Sequence, residues 1–398
     1  MLFWPEAFEP LTDTPWNEGR VLDRIGEVVA DVDAAFDGED LWPAHEWDGW
    51  RAPLPLRSLY VGAAGVVHAV DVLRRRGLAE PRTDLRAAAL RALELYRREP
   101  DFVDGYAPPE PTGTGLFVGE TGILVVAWRL TGDDVLADEL HARVLENRDG
   151  EGEDVMYGAP GSLLAARALH EWMGDQRWLA AWREVAGALL ARRDEDGLWT
   201  QRRFGQASRA LGAPHGVTGN VAALLAGGLL EPDEAERLRG ETAAMLARTA
   251  FLEHGLVNWP LSAGGPLEED GEVRLQWCSG TPGVLVAAGA CLDEELLLAG
   301  AETVWRAGPH GDEKGAGICH GTAGNGYALL AAFARTGDER WLERARRFAV
   351  HALEQAAGLR AERGHGRYSL FTGDVGTALL AADCLAARAD YPVLGTWE

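Results

Sequence analysis

Three side chains with metal-binding chemistry stand immediately before glycine pairs in the second half of the chain. They belong to Cys278, Cys319 and His320, and the two cysteines are half of the four in the sequence. Two thiolates and an imidazole suit zinc, and three protein ligands with a fourth position left open are typical of a catalytic zinc site. We therefore predict that Cys278, Cys319 and His320 bind one zinc ion per chain.

The alternative for any of these cysteines is burial in the core, because free cysteine behaves as a small apolar residue. That interpretation suits Cys291 and Cys384, which lie within apolar stretches. For Cys278 and Cys319 the spacing alone is weak evidence, since the sequence contains no close Cys-x-x-Cys pair. Their common position within an internal repeat, described below, favours zinc.

Two further residues are candidates for proton transfer. His215 directly precedes a repeat glycine without belonging to the predicted ligand set, and an imidazole near a metal is a candidate general acid or base. Asp154 lies four residues before another repeat glycine. The alternatives are a histidine that is hydrogen-bonded to backbone and one more acid in the acidic run 149–154.

The repeat that positions these residues is a Gly-x-x-Gly element that occurs seven times, each time followed by an apolar stretch. Its first glycines are Gly62, Gly119, Gly158, Gly216, Gly280, Gly321 and Gly373. Three apolar stretches end at a Gly-Asp pair, which is typical of a helix end followed by the N-cap of the next helix. After the last pair, Trp341, Ala345, Phe348 and Ala352 follow at three- and four-residue steps, which indicates an amphipathic helix.

Each repeat is thus predicted to form an apolar inner helix and an amphipathic outer helix. A helix that is apolar all round must be buried, so seven such pairs predict an all-α fold, an α/α toroid with an inner and an outer ring. We expect a single domain over 1–398, with an N-terminal lead-in segment at 1–57 and seven helix pairs at 58–398. An open superhelical solenoid is the competing arrangement, and the irregular repeat spacing and the lack of polar caps favour the closed ring. In a toroid the inner helices begin at one rim, where the residues before the glycines meet.

Composition argues against several classes of function. Of the 398 residues, 47% are apolar and 25% are charged, which is typical of a folded globular protein. The 38 lysine and arginine residues against 62 aspartate and glutamate residues give a formal net charge of −24. A nucleic-acid-binding protein needs a cationic surface, as a peripheral membrane protein usually does, so we expect neither kind of partner. Without a basic N-terminal signal or an apolar run of about 18 residues, we expect a soluble, cytoplasmic protein.

The motifs around the candidate residues resemble those of the lanthionine synthetase C-like family, which comprises the lanthipeptide cyclases and their eukaryotic relatives. The similar elements are Ala213-Pro-His215-Gly, Trp277-Cys278-Ser-Gly-Thr-Pro-Gly283, Gly317-Ile-Cys319-His320-Gly and Ser369-Leu-Phe371-Thr-Gly373. The match runs from near residue 58 to the C-terminus. The resemblance implies that Cys278, Cys319 and His320 hold zinc and that His215 is the active-site histidine.

Further site residues follow from this resemblance. Asp154-Val-Met-Tyr-Gly158 is similar to the Asp-Val-x-x-Gly of the bacterial cyclases, whose aspartate is catalytic, and Arg274-Leu-Gln-Trp277-Cys278 is similar to their Arg-x-x-Trp-Cys. Lys314, five residues before Cys319, resembles a lysine of the eukaryotic, glutathione-binding branch that contacts the carboxylate of the thiol. The resemblance thus implies catalytic roles for Asp154 and Arg274 and substrate binding by Lys314. Trp277, next to a predicted ligand, is expected to wall the site.

The function that this resemblance implies is zinc-dependent addition of a thiol to a dehydroalanine or dehydrobutyrine residue of a peptide or protein, which forms a thioether. The thiol is either a cysteine of the peptide or a small molecule such as glutathione. His215, oriented by Asp154, would protonate the resulting enolate at Cα, and Arg274 would stabilise its oxygen. One alternative is a zinc protein that binds a thiol or a peptide without turnover. Another is an α/α-toroid glycosidase with paired carboxylates, which leaves the positions of the cysteines and the histidine unexplained.

Overall fold

Helices dominate the computed structural model of the protein, which describes residues 1–48, 55–101, 112–150, 152–203 and 206–398. Within these ranges the α-helices are α1 (Glu18–Ala35), α2 (Ala63–Arg75), α3 (Leu85–Arg98), α4 (Glu120–Thr131), α5 (Asp134–Glu146), α6 (Ala159–Met173), α7 (Gln176–Ala191), α8 (Val217–Leu225), α9 (Pro232–Thr249), α10 (Thr281–Ala288), α11 (Glu294–Ala307), α12 (Thr322–Thr336), α13 (Glu339–Arg363) and α14 (Asp374–Ala386). Short 3-10 helices lie at Pro5–Ala7, Thr112–Thr114, Asn147–Asp149, Ala226–Gly228 and Gly289–Cys291. None of the helices in these ranges combines the length and the apolar character that a membrane span requires.

The strands of the described ranges form three short antiparallel hairpins. They pair β1 (Gln201–Arg203) with β2 (Gln206–Ser208), β3 (Phe251–Glu253) with β4 (Leu256–Asn258), and β5 (Glu268–Glu269) with β6 (Glu272–Val273). The last hairpin places Glu269 opposite Glu272 and leads into the segment that carries Cys278. The predicted all-α class is confirmed, with the strands confined to connections between helices.

The even-numbered helices form a closed inner ring. Each begins directly after the first glycine of a repeat and contacts the next even-numbered helix, and the last of them, α14, contacts the first, α2. In α2 every residue from Ala63 to Leu73 is buried, because neighbours cover the helix on all sides. This closure confirms the predicted α/α toroid and excludes the open solenoid.

The odd-numbered helices form the outer ring and bury one face each. In α13 the apolar residues that predicted this helix, among them Trp341 and Phe348, are buried. The predicted turns between inner and outer helices are also confirmed. At each turn a glycine with φ of 64°, 68° or 69° ends the inner helix. The aspartate that follows this glycine accepts a hydrogen bond from the backbone N–H two residues later. The three turns are Gly132-Asp133, Gly174-Asp175 and Gly337-Asp338.

The N-terminal segment completes the outer ring. Helix α14 is the last inner helix of the chain, and α1 packs against it as its outer partner. This corrects the expectation that 1–57 is only a lead-in, because that segment supplies the outer helix of the seventh pair. No glycine element precedes α1, which is why the repeat did not predict it, but its buried Val21, Ile25 and Val32 lie at helical spacing.

The second glycine of each repeat is required by a close approach of the backbone. A Cβ added at this position would lie 1.8–2.5 Å from the carbonyl oxygen six residues earlier in all seven copies. Only glycine fits such an approach. The chain before each inner helix therefore folds back onto the first turn of that helix, and this turn presents the residues before the first glycine at the rim.

Candidate active site

Backbone hydrogen bonds join equivalent positions of six repeats around the rim. Each of these residues stands two positions before the first glycine of its repeat. The N–H to O=C bonds run from Cys278 to Cys319 (3.3 Å), from Cys319 to Phe371 (2.7 Å), from Phe371 to Tyr60 (3.2 Å), from Tyr60 to Phe117 (2.8 Å) and from Phe117 to Met156 (3.2 Å). Pro214 holds this position in the remaining repeat and has no N–H to donate. The hydrogen bonds set Cys278 and Cys319 next to each other.

Cys278, Cys319 and His320 converge where these turns meet. One donor atom from each side chain lies within 4.8 Å of the other two, and Cys278 Sγ is 3.5 Å from His320 Nδ1. Zinc binds sulfur at ~2.3 Å and nitrogen at ~2.0 Å, so small side-chain movements bring the three donors onto one ion. Cys319 is buried, whereas Cys278 and His320 are partly exposed, which leaves an approach for a fourth ligand. The donor set therefore fits a zinc ion with one position open.

The two thiols affect each other's ionisation. The hydrogen bond with Cys319 lowers the pKa of Cys278 well below its usual value. Burial raises the pKa of Cys319 well above its usual value. Cys319 therefore holds its proton more tightly than Cys278 does, and zinc, which binds thiolates, would release that proton when it binds.

Each of the two thiols accepts one hydrogen bond from a side chain that the sequence analysis did not select. The Tyr60 hydroxyl donates to Cys319 Sγ at 2.9 Å, and Gln276 Nε2 donates to Cys278 Sγ at 2.9 Å. Tyr60 occupies the same repeat position as the two cysteines, so the alignment of the repeats could have identified Tyr60 as their neighbour. Hydrogen bonds of this kind orient the ligands of a metal site and adjust their electron donation.

Asp154 lies against His215 at the same rim. His215 Nδ1 is 3.0 Å from Asp154 Oδ2, and the other oxygen of Asp154 accepts a hydrogen bond from the Tyr157 N–H at 2.8 Å. The Asp154 side chain is 1% exposed, whereas the His215 side chain is 49% exposed. A fixed, buried carboxylate thus holds an imidazole that solvent can reach. This arrangement fixes the tautomer of a general acid or base.

The turn that carries His215 lies against the turn that carries Cys278. A Cβ added to Gly212, three residues before His215, would lie 2.1 Å from the Cys278 carbonyl oxygen. The segment before α8 therefore packs directly on the turn that carries Cys278. The candidate proton donor and the donor set consequently belong to adjacent turns of the rim.

Arg274 and Lys314 meet at a carboxylate that the sequence analysis did not select. Glu272 Oε1 is 2.6 Å from Lys314 Nζ, and Glu272 Oε2 is 3.5 Å from Arg274 Nε. Burial raises the pKa of Glu272, but the hydrogen bond and charge of Lys314 and the charge of Arg274 outweigh it and lower the pKa overall. Side chains two residues apart in an extended chain lie on one face. The Glu-x-Arg spacing of Glu272 and Arg274 was therefore the sequence signal that could have identified this carboxylate.

Trp277 requires a correction. Its side chain has 0% exposure and stacks on Tyr391, with ring centroids 4.9 Å apart and an interplanar angle of 14°. The indole therefore packs in the core and does not wall a cavity that substrate enters. The hydroxyl of Tyr391 donates to the carbonyl oxygen of Ile318 at 3.0 Å. Tyr391 follows the last inner helix, outside the repeat, and it connects the residues that precede Cys278 and Cys319.

The remaining cysteines lie in the core, as expected. Cys384 has 0% exposure and Cys291 has 7%. Burial raises the pKa of Cys291 to about 11. Both thiols are therefore protonated near neutrality and lie apart from the donor set.

Comparisons with known proteins find similar sequences over most of the chain. The family model described as lanthionine synthetase C-like protein matches residues 56–393. The chain is 28% identical over 267 residues to the LanC-like protein GCL1 of Arabidopsis thaliana, covering 62% of this chain and 58% of that protein. It is 27% identical over 279 residues to glutathione S-transferase LANCL1 of Danio rerio, covering 64% of each. The chain thus spans about three fifths of the length of these curated relatives.

A solved structure gives the same fold. Nisin cyclase superposes with a TM-score of 0.61 at 15% sequence identity, over 92% of this chain and 94% of that one. At this identity the likeness establishes the toroidal fold.

Proposed function

Because the chain belongs to the lanthionine synthetase C-like family, we propose that it is a zinc-dependent enzyme that adds a thiol to a dehydroalanine or dehydrobutyrine residue of a peptide and so forms a thioether. The observation that carries this proposal is that the turn of His215, which contacts Asp154, packs against the turn of Cys278 in the donor set. A protein that only binds metal and thiol needs the donors alone. An addition reaction also needs a proton donor.

Cys278, Cys319 and His320 are the residues that would hold the ion. The chemistry that zinc supplies when bound is removal of the proton from a substrate thiol. Tyr60 and Gln276 hold the two cysteine sulfurs through hydrogen bonds of 2.9 Å each. Their donor groups are thereby committed to the two sulfurs, and a bound zinc ion would have its remaining coordination position available to the substrate thiol.

His215 is the proton donor in this proposal. The substrate sulfur forms a bond to the β-carbon of the dehydro residue, and the electrons of the carbon–carbon double bond shift toward Cα and the carbonyl oxygen. The enolate then takes a proton at Cα, which balances the proton that the thiol lost. Asp154 stabilises the imidazolium of His215 from 3.0 Å. General-acid catalysis of this kind typically contributes roughly 10²–10⁴-fold.

Arg274 is proposed to stabilise the negative charge on the enolate oxygen. Its side chain is 22% exposed and lies four residues before Cys278. A guanidinium keeps its charge throughout the working pH range and offers several N–H donors, which suits a developing oxyanion. Glu272 contacts the same guanidinium at 3.5 Å and holds it near the ligand turn.

A synthetic peptide that contains one cysteine and one dehydroalanine tests this proposal. Ring closure leaves the mass unchanged, so unreacted thiols are counted by alkylation and mass spectrometry, with zinc-loaded and zinc-stripped protein compared. In parallel, a peptide without cysteine is incubated with glutathione, and the adduct is read from its added mass. The proposal predicts thioether formation faster with zinc-loaded protein in at least one of the two assays. Rates equal to the uncatalysed background in both would indicate binding without turnover.

A further inference from the structure

Tyr157 and His215 hold the same position in consecutive repeats, directly before the first glycine of each. Their rings stack, with centroids 5.9 Å apart and an interplanar angle of 22°, which is within the range of offset-stacked aromatic pairs. Tyr157 is partly exposed, so its ring lies at the rim and not in the core. The rim therefore places an aromatic ring against one face of the imidazole that serves as proton donor in the proposed function.

The contact with Asp154 fixes one end of this imidazole, and the stack with Tyr157 restricts its plane. His215 Nδ1 is 3.0 Å from Asp154 Oδ2, and the side chain of His215 is 49% exposed. A contact at one ring atom allows rotation about that contact, whereas a contact over the face of the ring opposes this rotation. Transfer of a proton from Nε2 to Cα requires the two atoms to be held in reach of each other. A restricted plane thus raises the fraction of molecules in the productive geometry.

The backbone of Tyr157 is held independently of its ring. Its N–H donates to Asp154 Oδ1 at 2.8 Å, and its carbonyl oxygen accepts a hydrogen bond from Asn147 Nδ2 at 3.2 Å. Asn147 is buried, and its Nδ2 also donates to Ser162 Oγ at 3.1 Å. Replacement of the Tyr157 side chain therefore removes the ring and leaves these contacts of the turn and of Asp154 in place.

We infer that Tyr157 is a positioning residue for His215, whose ring holds the imidazole in the plane in which Nδ1 contacts Asp154 and Nε2 delivers the proton to Cα. This inference rests on the proposed function and adds a third member to the pair of His215 and Asp154. The face of an aromatic ring also attracts a cation, so Tyr157 favours the imidazolium that donates the proton. The hydroxyl of Tyr157 has no part in this role.

Two variants of Tyr157 test this role with the peptide that contains one cysteine and one dehydroalanine. Tyr157→Leu removes the ring and should lower kcat by about tenfold, which corresponds to ~1.4 kcal/mol and is near the upper limit for a stacked aromatic pair. Tyr157→Phe keeps the ring and should retain kcat to within about twofold. KM and zinc content should stay near those of wild type in both variants, because the ring acts on proton transfer and the metal donors are unchanged.

A double-variant cycle with His215→Ala tests whether the ring acts through the imidazole. Once the imidazole is absent, Tyr157→Leu should change the residual rate by less than about twofold, because residues that act as a unit are not additive. A further loss of about tenfold in the His215→Ala background would show that Tyr157 acts independently of His215 and would overturn the inference. Equal losses in Tyr157→Leu and Tyr157→Phe would assign the effect to the hydroxyl and would also overturn it.

The matched control is Trp172→Leu. Trp172 is also partly exposed and stacks on Trp128, with centroids 5.7 Å apart and an interplanar angle of 7°. It lies in the last turn of α6, whose first turn begins at the rim, so its variant should retain kcat to within about twofold. Equal falls in Trp172→Leu and Tyr157→Leu would assign the effect to a general loss of packing and would overturn the inference. Tyr157→Met takes the place of Tyr157→Leu if the leucine variant does not fold.

Proton NMR of the zinc-loaded protein with labelled histidine separates this inference from the proposed function. A stacked ring shifts the imidazole signals through its ring current, and the signals of His215 are those that His215→Ala removes. Tyr157→Leu should move these signals, and Tyr157→Phe should leave them near their positions in wild type. This pattern without any thioether product would leave the positioning by Tyr157 standing and contradict the proposed function. Thioether formation with unchanged His215 signals and unchanged kcat in Tyr157→Leu would do the reverse.

Discussion

The hydroxyl of Tyr60 donates a hydrogen bond to Sγ of Cys319 at 2.9 Å, although 259 positions separate the two residues in the sequence. The contact exists because the toroid closes, which brings the first repeat next to the last repeats at the rim. Burial raises the pKa of Tyr60 well above its usual value, so the hydroxyl keeps its proton near neutrality. Tyr60 is thus a donor to a candidate metal ligand.

Replacement of Tyr60 by phenylalanine should weaken zinc binding. Tyr60→Phe removes the hydrogen bond to Cys319 and keeps the ring, which stacks on Phe371 with centroids 5.2 Å apart. Loss of a partner of a metal ligand typically reduces metal affinity by about 10- to 100-fold, and we expect about tenfold. The affinity is measured by competition with a chromophoric chelator.

Tyr327→Phe is the matched control for that experiment. Tyr327 is also buried, and its hydroxyl donates to Asp383 at 2.7 Å without contacting a ligand. Its variant should keep the zinc affinity of wild type within twofold. An equal loss of affinity in both variants would assign the effect to the core and not to the hydrogen bond with Cys319.

Metal content should depend on two of the four cysteines. Purified wild type is expected to contain about one zinc per chain by elemental analysis, as one three-ligand site implies. Cys278→Ala and Cys319→Ala remove a donor each and should lose the metal. Cys291→Ala, which changes a core residue apart from the donor set, should retain it. Full zinc retention in both ligand variants would contradict the assignment.

The repeat explains why the fold and the donor set could be predicted from the sequence. The glycine elements and the Gly-Asp turns are local signals, because each determines the backbone conformation within a few residues of its own position. Equivalent positions of consecutive repeats in a closed ring must be neighbours. Cys278 and Cys319 could therefore be predicted to lie together from the sequence alone. The same logic placed His215 on the rim.

Contacts between side chains that belong to different interhelical connections could not be predicted in this way. The contact between Glu272 and Lys314 joins a hairpin to a loop in another repeat. Tyr391 lies after the last helix, where the repeat carries no information, and the burial of Trp277 follows from its stacking on that residue. Helix α1 precedes its partner α14 by almost the whole chain, so no local pattern links the two.

Asp374 should make the protein less stable as the pH rises. One of its oxygens is buried 3.6 Å from Arg360 Nη1 without a hydrogen bond, and burial outweighs the charge of Arg360 and raises the pKa of Asp374 to about 7 from 3.8. A carboxyl whose folded pKa lies above its unfolded pKa stabilises the fold below pH ~4, and this contribution is lost as the pH rises through ~7. The shift corresponds to at most ~4 kcal/mol.

Asp374→Asn should therefore become more stable relative to wild type between pH 4.5 and pH 8, by about 2–4 kcal/mol. Urea unfolding at the two pH values measures this difference. Asp134→Asn is the control, because Asp134 is likewise the first residue of its helix but is exposed. A difference between Asp374→Asn and wild type that stays constant with pH would contradict the prediction.

The most direct test of catalysis is the rate of thioether formation by His215→Ala protein that has retained its zinc. Removal of the imidazole leaves Cys278, Cys319 and His320 in place, so metal content and thiol affinity should stay near those of wild type. The rate with the cysteine- and dehydroalanine-containing peptide should fall by roughly 10²–10⁴-fold, while His141→Ala, on an outer helix, should keep the rate of wild type. A zinc-loaded His215→Ala protein that forms the thioether as fast as wild type would contradict the role of His215 as proton donor.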